Sequence, residues 1–311
     1  MSDLTRVLLI GSDGQVGWEL RRTLAPVGQV ISASVSGEAG PAIDLLSATS
    51  VRKVFDDTRP DAIVNAAAYT AVDRAETDQD LAQAINADAL ALLGELAASA
   101  GIPVVHYSTD FVFSGKTERP YREDDEPNPL SVYGETKLAG ERALLDSGAD
   151  ALVLRTAWVY GVRGSNFLLT MRNLFHERAE LRVVDDQIGT PTWSRMLAEV
   201  TAQILHRVFV GDLQMEQIRG LYHVTSAGAT SWYGFAQAIR GASRSDCELV
   251  PIPTSEYPAP ARRPAYSVLD TSKFRETFGL VLPDWRQSLE LCLADLPPRD
   301  EIVQARLRSS I

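Results

Sequence analysis

The chain has 311 residues, 45% hydrophobic and 23% charged, which is ordinary globular composition and enough length for one large or two modest domains. Its 30 Lys and Arg against 41 Asp and Glu leave a formal charge of -11, excluding the basic surface of a general nucleic-acid binder. Cys247 and Cys292 stand apart from any Cys/His cluster, so neither a zinc site nor a disulfide framework is signalled and a reducing cytoplasm is the expected compartment. The apolar run before Gly11 is too short for a signal-peptide core, and no stretch reaches about 18 unbroken apolar residues, so no membrane partner is expected.

Along the first half, short aliphatic runs at 7–10, 29–31, 62–64, 103–105 and 151–154 alternate with helical spacing, clearest at 15–24 and 85–98. Strand and helix in alternation imply a parallel sheet covered on both faces. Right-handed crossovers make it a doubly wound, Rossmann-like α/β fold. Past residue 160 the rhythm loosens. Helical patterns at 166–177 and 195–208 flank a turn-rich stretch at 185–192. Pro251, Pro253, Pro258, Pro260 and Pro264 then crowd a region that cannot be a central strand or helix. The expected division is an NAD(P)-binding half, 1–160, and a smaller mixed, mainly substrate-binding half, 161–311, with some elements returning to the first sheet. The charged tail from Pro297 carries Ile302, Ala305 and Leu307, which could dock.

Gly11, Gly14 and Gly17 follow the first strand and open the first helix. Glycines there permit a tight turn and close approach of backbone to a pyrophosphate, and the helix N-terminus offers amide donors and a positive dipole. The spacing is G-x-x-G-x-x-G, and an ordinary glycine turn is the bland alternative. The second strand ends at Ser34 and Ser36 without an acidic residue. A carboxylate there would repel a 2′-phosphate, whereas serine hydroxyls could bond it, so NADPH is expected to be accepted alongside NADH. After the third strand, Asn65 and the small residues Ala66, Ala67 and Ala68 leave room for a flat ligand, or for close helix packing.

The most specific pattern is Ser108, Thr109 and Asp110 at a strand end, followed by Tyr133 and Lys137 on one helix face. A phenol near pKa 10 is a poor acid at neutral pH. An adjacent ammonium is expected to lower that value and make tyrosine a usable proton donor to a carbonyl receiving hydride. Thr109 could offer a second hydroxyl to the same oxygen. Alone, Y-x-x-x-K usually marks a solvated helix face; the upstream glycine loop and the hydroxyl-bearing strand end give it meaning.

These words, together with those around Asn65 to Asp73, His106 to Phe113, Val132 to Glu141, Arg155 to Tyr160, Asp186 to Thr192, Pro260 to Pro264 and Leu282 to Trp285, resemble the extended short-chain dehydrogenase/reductases. Within them the chain is similar to the dTDP-4-dehydrorhamnose reductase family, over nearly its whole length. The resemblance implies NAD(P)H-dependent reduction of the C4 ketone of dTDP-4-dehydro-β-L-rhamnose to dTDP-L-rhamnose, in dTDP-rhamnose and surface polysaccharide biosynthesis. Tyr133 would be the acid, Lys137 would hold the nicotinamide ribose, and Thr109 would complete the triad. It also implies that Gly14, Gln15 and Val16 contact the pyrophosphate, Asp44 and Leu45 flank adenine, Ala66 to Ala68 line the ribose side and Tyr107 backs the nicotinamide. Thr70, Val72, Asp110 and Trp158 match positions around the hexose, and Arg262 or Arg263, in a proline-locked turn, suits the diphosphate.

The chain departs from the family pattern in two places. Phe111 stands where tyrosine is common. Some members dimerise through Mg2+ held by surface carboxylates; Glu19 and Asp295 match two of these, but Arg195 occupies a third, so no metal-bridged dimer is expected and the chain reads as a monomer or weak homodimer. A sugar-nucleotide epimerase or dehydratase, or a non-catalytic regulatory homologue on the same fold, are the alternatives. The complete Thr109, Tyr133 and Lys137 set argues against the last.

Overall fold

The computed structural model describes residues 5–243 and 245–296; the expected docking of Ile302, Ala305 and Leu307 lies outside them. In chain order the first half runs β1 (Arg6–Ile10), α1 (Gln15–Thr23), β2 (Gln29–Ala33), α2 (Ala48–Thr58), β3 (Ala62–Asn65), α3 (Val72–Ala75), α4 (Gln79–Gln83), α5 (Ala89–Ala100), β4 (Val104–Thr109), α6 (Val132–Leu145) and β5 (Ala151–Thr156). Five of the strands lie in the order β5-β4-β3-β1-β2, and the strand Gly220–His223 adds a sixth beside β5. Every pairing in this sheet is parallel, so the expected doubly wound architecture is present.

Cover on both faces leaves every residue of β4 and β5 buried without alternation, including the polar His106, Ser108 and Thr109 of β4 and Arg155 of β5. The pleat sorts neighbouring residues of β1 into two cores. Leu9 packs with Leu20 of α1 and with Leu197, Ile204 and Leu205 of the helix Ser194–Phe209. Leu8 and Ile10 pack on the other face with Val51 of α2 and Leu93 and Ala97 of α5. The reversal of strand order between β1 and β3 opens a crevice at the carboxyl ends of the strands, where ligands bind such sheets.

The helix expected over 85–98 is longer and interrupted. Helical structure runs from Gln79 to Ala100 through a π-turn, Ala84–Asp88. That turn carries Asn86 to α6, where its side chain accepts from Tyr69 N (2.9 Å) and donates to Thr136 Oγ1 (3.1 Å). Any side chain at Gly140 of α6 would overlap the Asn86 carbonyl. By length and composition alone this 22-residue run, which contains an 18-residue window of mean hydropathy 1.2, could cross a membrane. Here it is a core helix, with Leu90, Leu93, Leu96 and Ala97 buried.

The second half builds a separate aromatic core from Tyr160, Phe235 and Trp285. Glu180–Val184 and Glu248–Ile252 form a two-stranded parallel sheet, in which Pro251 is tolerated because each strand is an edge.

Candidate functional site

The glycine loop is shaped by contacts on both sides. Gly11 has φ +80°, and a Cβ there would lie 2.5 Å from Ala67 N. A Cβ on Gly17 would overlap the Gly11 carbonyl, so Gly17 lies beneath the loop and lets α1 reach the sheet. Gly11 N and Ser12 N both donate to Ala33 O (2.9 and 3.3 Å), tying the loop to the end of β2. Gly14 caps α1 with no side-chain bond, which leaves the first-turn amides open to a ligand.

Above this loop is a cleft of about 550 Å³. Gly11, Gly14, Gln15 and Val16 line one wall, Leu45 and Ala66 to Ala68 the next, and Thr70, Tyr107, Tyr133 and Lys137 the far end. The expected cofactor residues are therefore brought together, with two exceptions. Gly17 is buried, and Asp44 folds back to accept from Leu46 N (2.9 Å), leaving Ile43 and Leu45 to face the cleft. Ser108 and Thr156 also line the cleft, and their hydroxyl oxygens are buried behind its wall with no hydrogen-bond partner among the described residues. The adenine, pyrophosphate and ribose positions thus fit a dinucleotide.

Tyr133 is placed by local sequence. Ser131 caps α6 by accepting from Gly134 N (3.3 Å), and Gly134 is required because a side chain there would overlap the Phe111 carbonyl. The Tyr133 ring meets Phe111 edge-on at 5.6 Å. Lys137 is buried, and its ammonium donates to Tyr107 O (2.7 Å) and meets His106 Nε2 at 3.0 Å. The expected lowering of the tyrosine pKa is not found: burial pushes the Tyr133 phenol up to about 12, against a downward pull from the Thr109 hydroxyl. The ammonium is spent on Tyr107 and His106, so desolvation dominates at the phenol. Burial also brings Lys137 down to about 8, with Glu141 opposing.

Thr109 donates to Asp110 Oδ1 (3.1 Å), so its proton is engaged in the free structure. Burial pushes the Asp110 carboxyl up to about 6, while the Ser267 and Thr109 hydroxyls pull it down.

Several expected sugar and diphosphate residues do not line the cleft. Val72 begins α3. Trp158, with φ +47°, stacks on Trp232 at 3.5 Å and presses on Gly189. Arg263 is held as a fork by Asp73 (3.0 and 2.8 Å), so its charge is already met. Arg262 is exposed and makes no ion pair among the described residues.

Sequence reasoning missed three groups that the fold brings in. Asn166 Nδ2 donates to Gln15 Oε1 (2.8 Å), fixing the first residue of α1 from 151 positions away. His106 supports Lys137. Asp13 enters the cleft and takes up Ser36, whose Oγ donates to it at 2.8 Å. The serines expected to serve a 2′-phosphate therefore spend their donors inside the protein.

Glu19, expected at the surface, is buried; the half-buried Arg195 bonds it (3.1 Å) and pairs with Asp295, a cation of the chain lying between both carboxylates. Among the described residues no group of three or more His, Cys, Asp or Glu is placed to hold a metal ion.

The profile of the RmlD substrate binding domain matches residues 5–297. The dTDP-4-dehydrorhamnose reductase of Burkholderia thailandensis is 45% identical over 299 residues, covering 94% of this chain and 99% of the relative. The Escherichia coli K12 enzyme of the same name is 44% identical, covering 93% and 97%. A crystal structure of dTDP-4-dehydrorhamnose reductase from Bacillus anthracis in complex with NADP superposes with a TM-score of 0.86 at 33% identity, covering 94% and 99%.

Proposed function

Since the chain belongs to the RmlD substrate binding domain family, we propose that it is a dTDP-4-dehydrorhamnose reductase, reducing the C4 ketone of dTDP-4-dehydro-β-L-rhamnose to dTDP-L-rhamnose. The observation that carries this reading is Tyr133 and Lys137 at one end of a cleft whose other end is a glycine loop opening a helix. Bound NAD(P)H supplies the hydride. Gly14, Gln15 and Val16 would hold the pyrophosphate at the α1 N-terminus, with Leu45 beside adenine. Ala66 to Ala68 would leave space for the ribose.

Tyr133 delivers the proton to the C4 oxygen. Its raised pKa keeps the phenol protonated across neutral pH, the form a reduction requires. Lys137, anchored on Tyr107 O and His106 Nε2, would present its remaining donor to the nicotinamide ribose. Thr109 reorients from Asp110 to the same oxygen. Asp110, Thr70, Val72 and Trp158 are the proposed sugar contacts. Arg262, rather than the Asp73-bound Arg263, is the available cation for the diphosphate.

The division proposed is a cofactor half, 1–160, and a mainly substrate half, 161–311, and the aromatic core of Tyr160, Phe235 and Trp285, separate from the cores of the main sheet, supports it. The family match supports a nucleotide-sugar-using enzyme, for which a cytoplasmic location is proposed. The internal Arg195 clamp favours a monomer or weak homodimer without bridging Mg2+.

The test supplies enzymatically generated dTDP-4-keto-6-deoxyhexose with NADPH or NADH, follows nicotinamide absorbance and identifies the product sugar. Tyr133→Phe should lower kcat by about 10² or more. Full activity in that variant would remove Tyr133 as the acid.

A further inference from the structure

The carboxyl end of β2 is where doubly wound folds read the adenosine ribose, usually with an acidic residue on that strand. Here the strand ends in Ser34 and Ser36, yet a carboxylate occupies the place. Asp13 reaches it from the glycine loop, because Gly11 N and Ser12 N are tied to Ala33 O of β2. Asp13, Ser34 and Val35 line one stretch of the cleft wall.

The hydroxyl protons can be counted, since each serine has one to give. Ser36 Oγ donates to Asp13 Oδ2 (2.8 Å). It accepts Glu38 N (3.3 Å) and lies 3.1 Å from Ser34 Oγ, whose single proton goes to Ser36 or directly to Asp13. Both protons point along a chain that ends on the carboxylate. Neither remains for a phosphate. The Ser34 and Ser36 hydroxyls also hold Asp13 below the usual carboxylate range, with smaller help from Arg21 and Arg163, so it is ionised at neutral pH.

We infer that Asp13 is the residue that selects the cofactor, accepting the adenosine 2′-hydroxyl of NADH and repelling the 2′-phosphate of NADPH. This rests on the cleft being the dinucleotide site, and it gives the glycine loop a second task. The loop carries the charge that discriminates at the ribose as well as the amides that face the pyrophosphate.

Direct binding separates this inference from the identity of the sugar, because it needs no substrate. Nicotinamide fluorescence titrations of the wild-type chain should give a Kd for NADH at least about tenfold below that for NADPH. Asp13→Asn, which keeps the size and removes the charge, should tighten NADPH by about tenfold and erase the preference. Ser36→Ala, which leaves the carboxylate, should retain it. Thermal unfolding confirms that each variant is folded. Equal or tighter NADPH binding by the wild type would show that Arg21 and Arg163 recruit the phosphate, and would overturn the inference. So would an unchanged ratio in folded Asp13→Asn. Absence of any binding by the wild type would instead refute the dinucleotide reading of the cleft.

Discussion

Removing the His106 imidazole should move the alkaline limb of the pH–rate profile. His106 lies on β4, 1% exposed, with Nε2 3.0 Å from Lys137 Nζ and Nδ1 3.3 Å from Asn65 O. Burial first, and the Lys137 charge second, hold the imidazole well below its usual pKa, so the ring is neutral. An ammonium can only donate, so Nε2 accepts from Lys137 and the proton sits on Nδ1, which faces both Asn65 O (3.3 Å) and Asn65 Nδ2 (3.1 Å) and donates to the carbonyl. His106 is thus a positioning residue, and with Tyr107 O it supplies the protein acceptors seen at Lys137. A hydrogen bond to a charged group is worth about 1.5 to 3 kcal/mol, or about one to two pKa units at 1.36 kcal/mol each. In His106→Leu the ammonium loses that bond, and its pKa should fall by this amount from its present value of about 8. Lys137 acts as the cation, so activity is lost as pH rises through its pKa. The limb should therefore shift to lower pH. The assay is kcat/KM against pH, which reports the free enzyme. His106→Gln, which keeps an acceptor, should restore much of the wild-type profile. Generalised damage would lower the rate at every pH and leave the limb in place. An unmoved limb in His106→Leu would refute the reasoning.

Two further outcomes concern stability. Glu141 and Arg155 form a buried fork (2.6 and 2.8 Å), so Glu141→Gln strands the guanidinium in the core and should cost about 3 to 5 kcal/mol by urea unfolding. His223, whose Nδ1 donates to Tyr121 O (3.0 Å), is pushed by burial and by Arg155 from 6.5 to about 3. The unfolded chain therefore binds a proton between these values that the folded chain does not. Its contribution is complete above pH 6.5 and lost as pH falls toward 3. Unfolding free energy should drop by about 2 kcal/mol between pH 7 and pH 5 through this group, a difference His223→Gln should abolish.

Sequence patterns disclosed what is local. The glycine loop, the five aliphatic strands and the four-residue spacing of Tyr133 and Lys137 each sit within one or two turns of chain. The strand Gly220–His223 escaped notice because it has four residues, two of them Gly and His, and owes its extended form to pairing with β5. Lys137 was read as an agent on Tyr133, but its partners come from β4, 30 and 31 residues earlier. Of the two arginines whose turn suits a diphosphate, Arg263 has its fork taken by Asp73, 190 residues away. The serine pair at the end of β2 was legible as a missing carboxylate, whereas its replacement by Asp13 exists only once the loop folds over the strand.

The sixth strand bears on how the chain is made. β5 is complete at Thr156, but its outer neighbour, Gly220–His223, is not yet synthesised at that point. The same holds for the Ser194–Phe209 helix that covers α1 and the β1 face. Until roughly the first 225 residues have left the ribosome, the nascent sheet carries an apolar edge and an uncovered side. An N-terminal fragment cut near residue 160 would keep every glycine of the cofactor loop and still lack the partners that bury the sheet behind it. The cofactor cleft is encoded early, and its scaffold closes late.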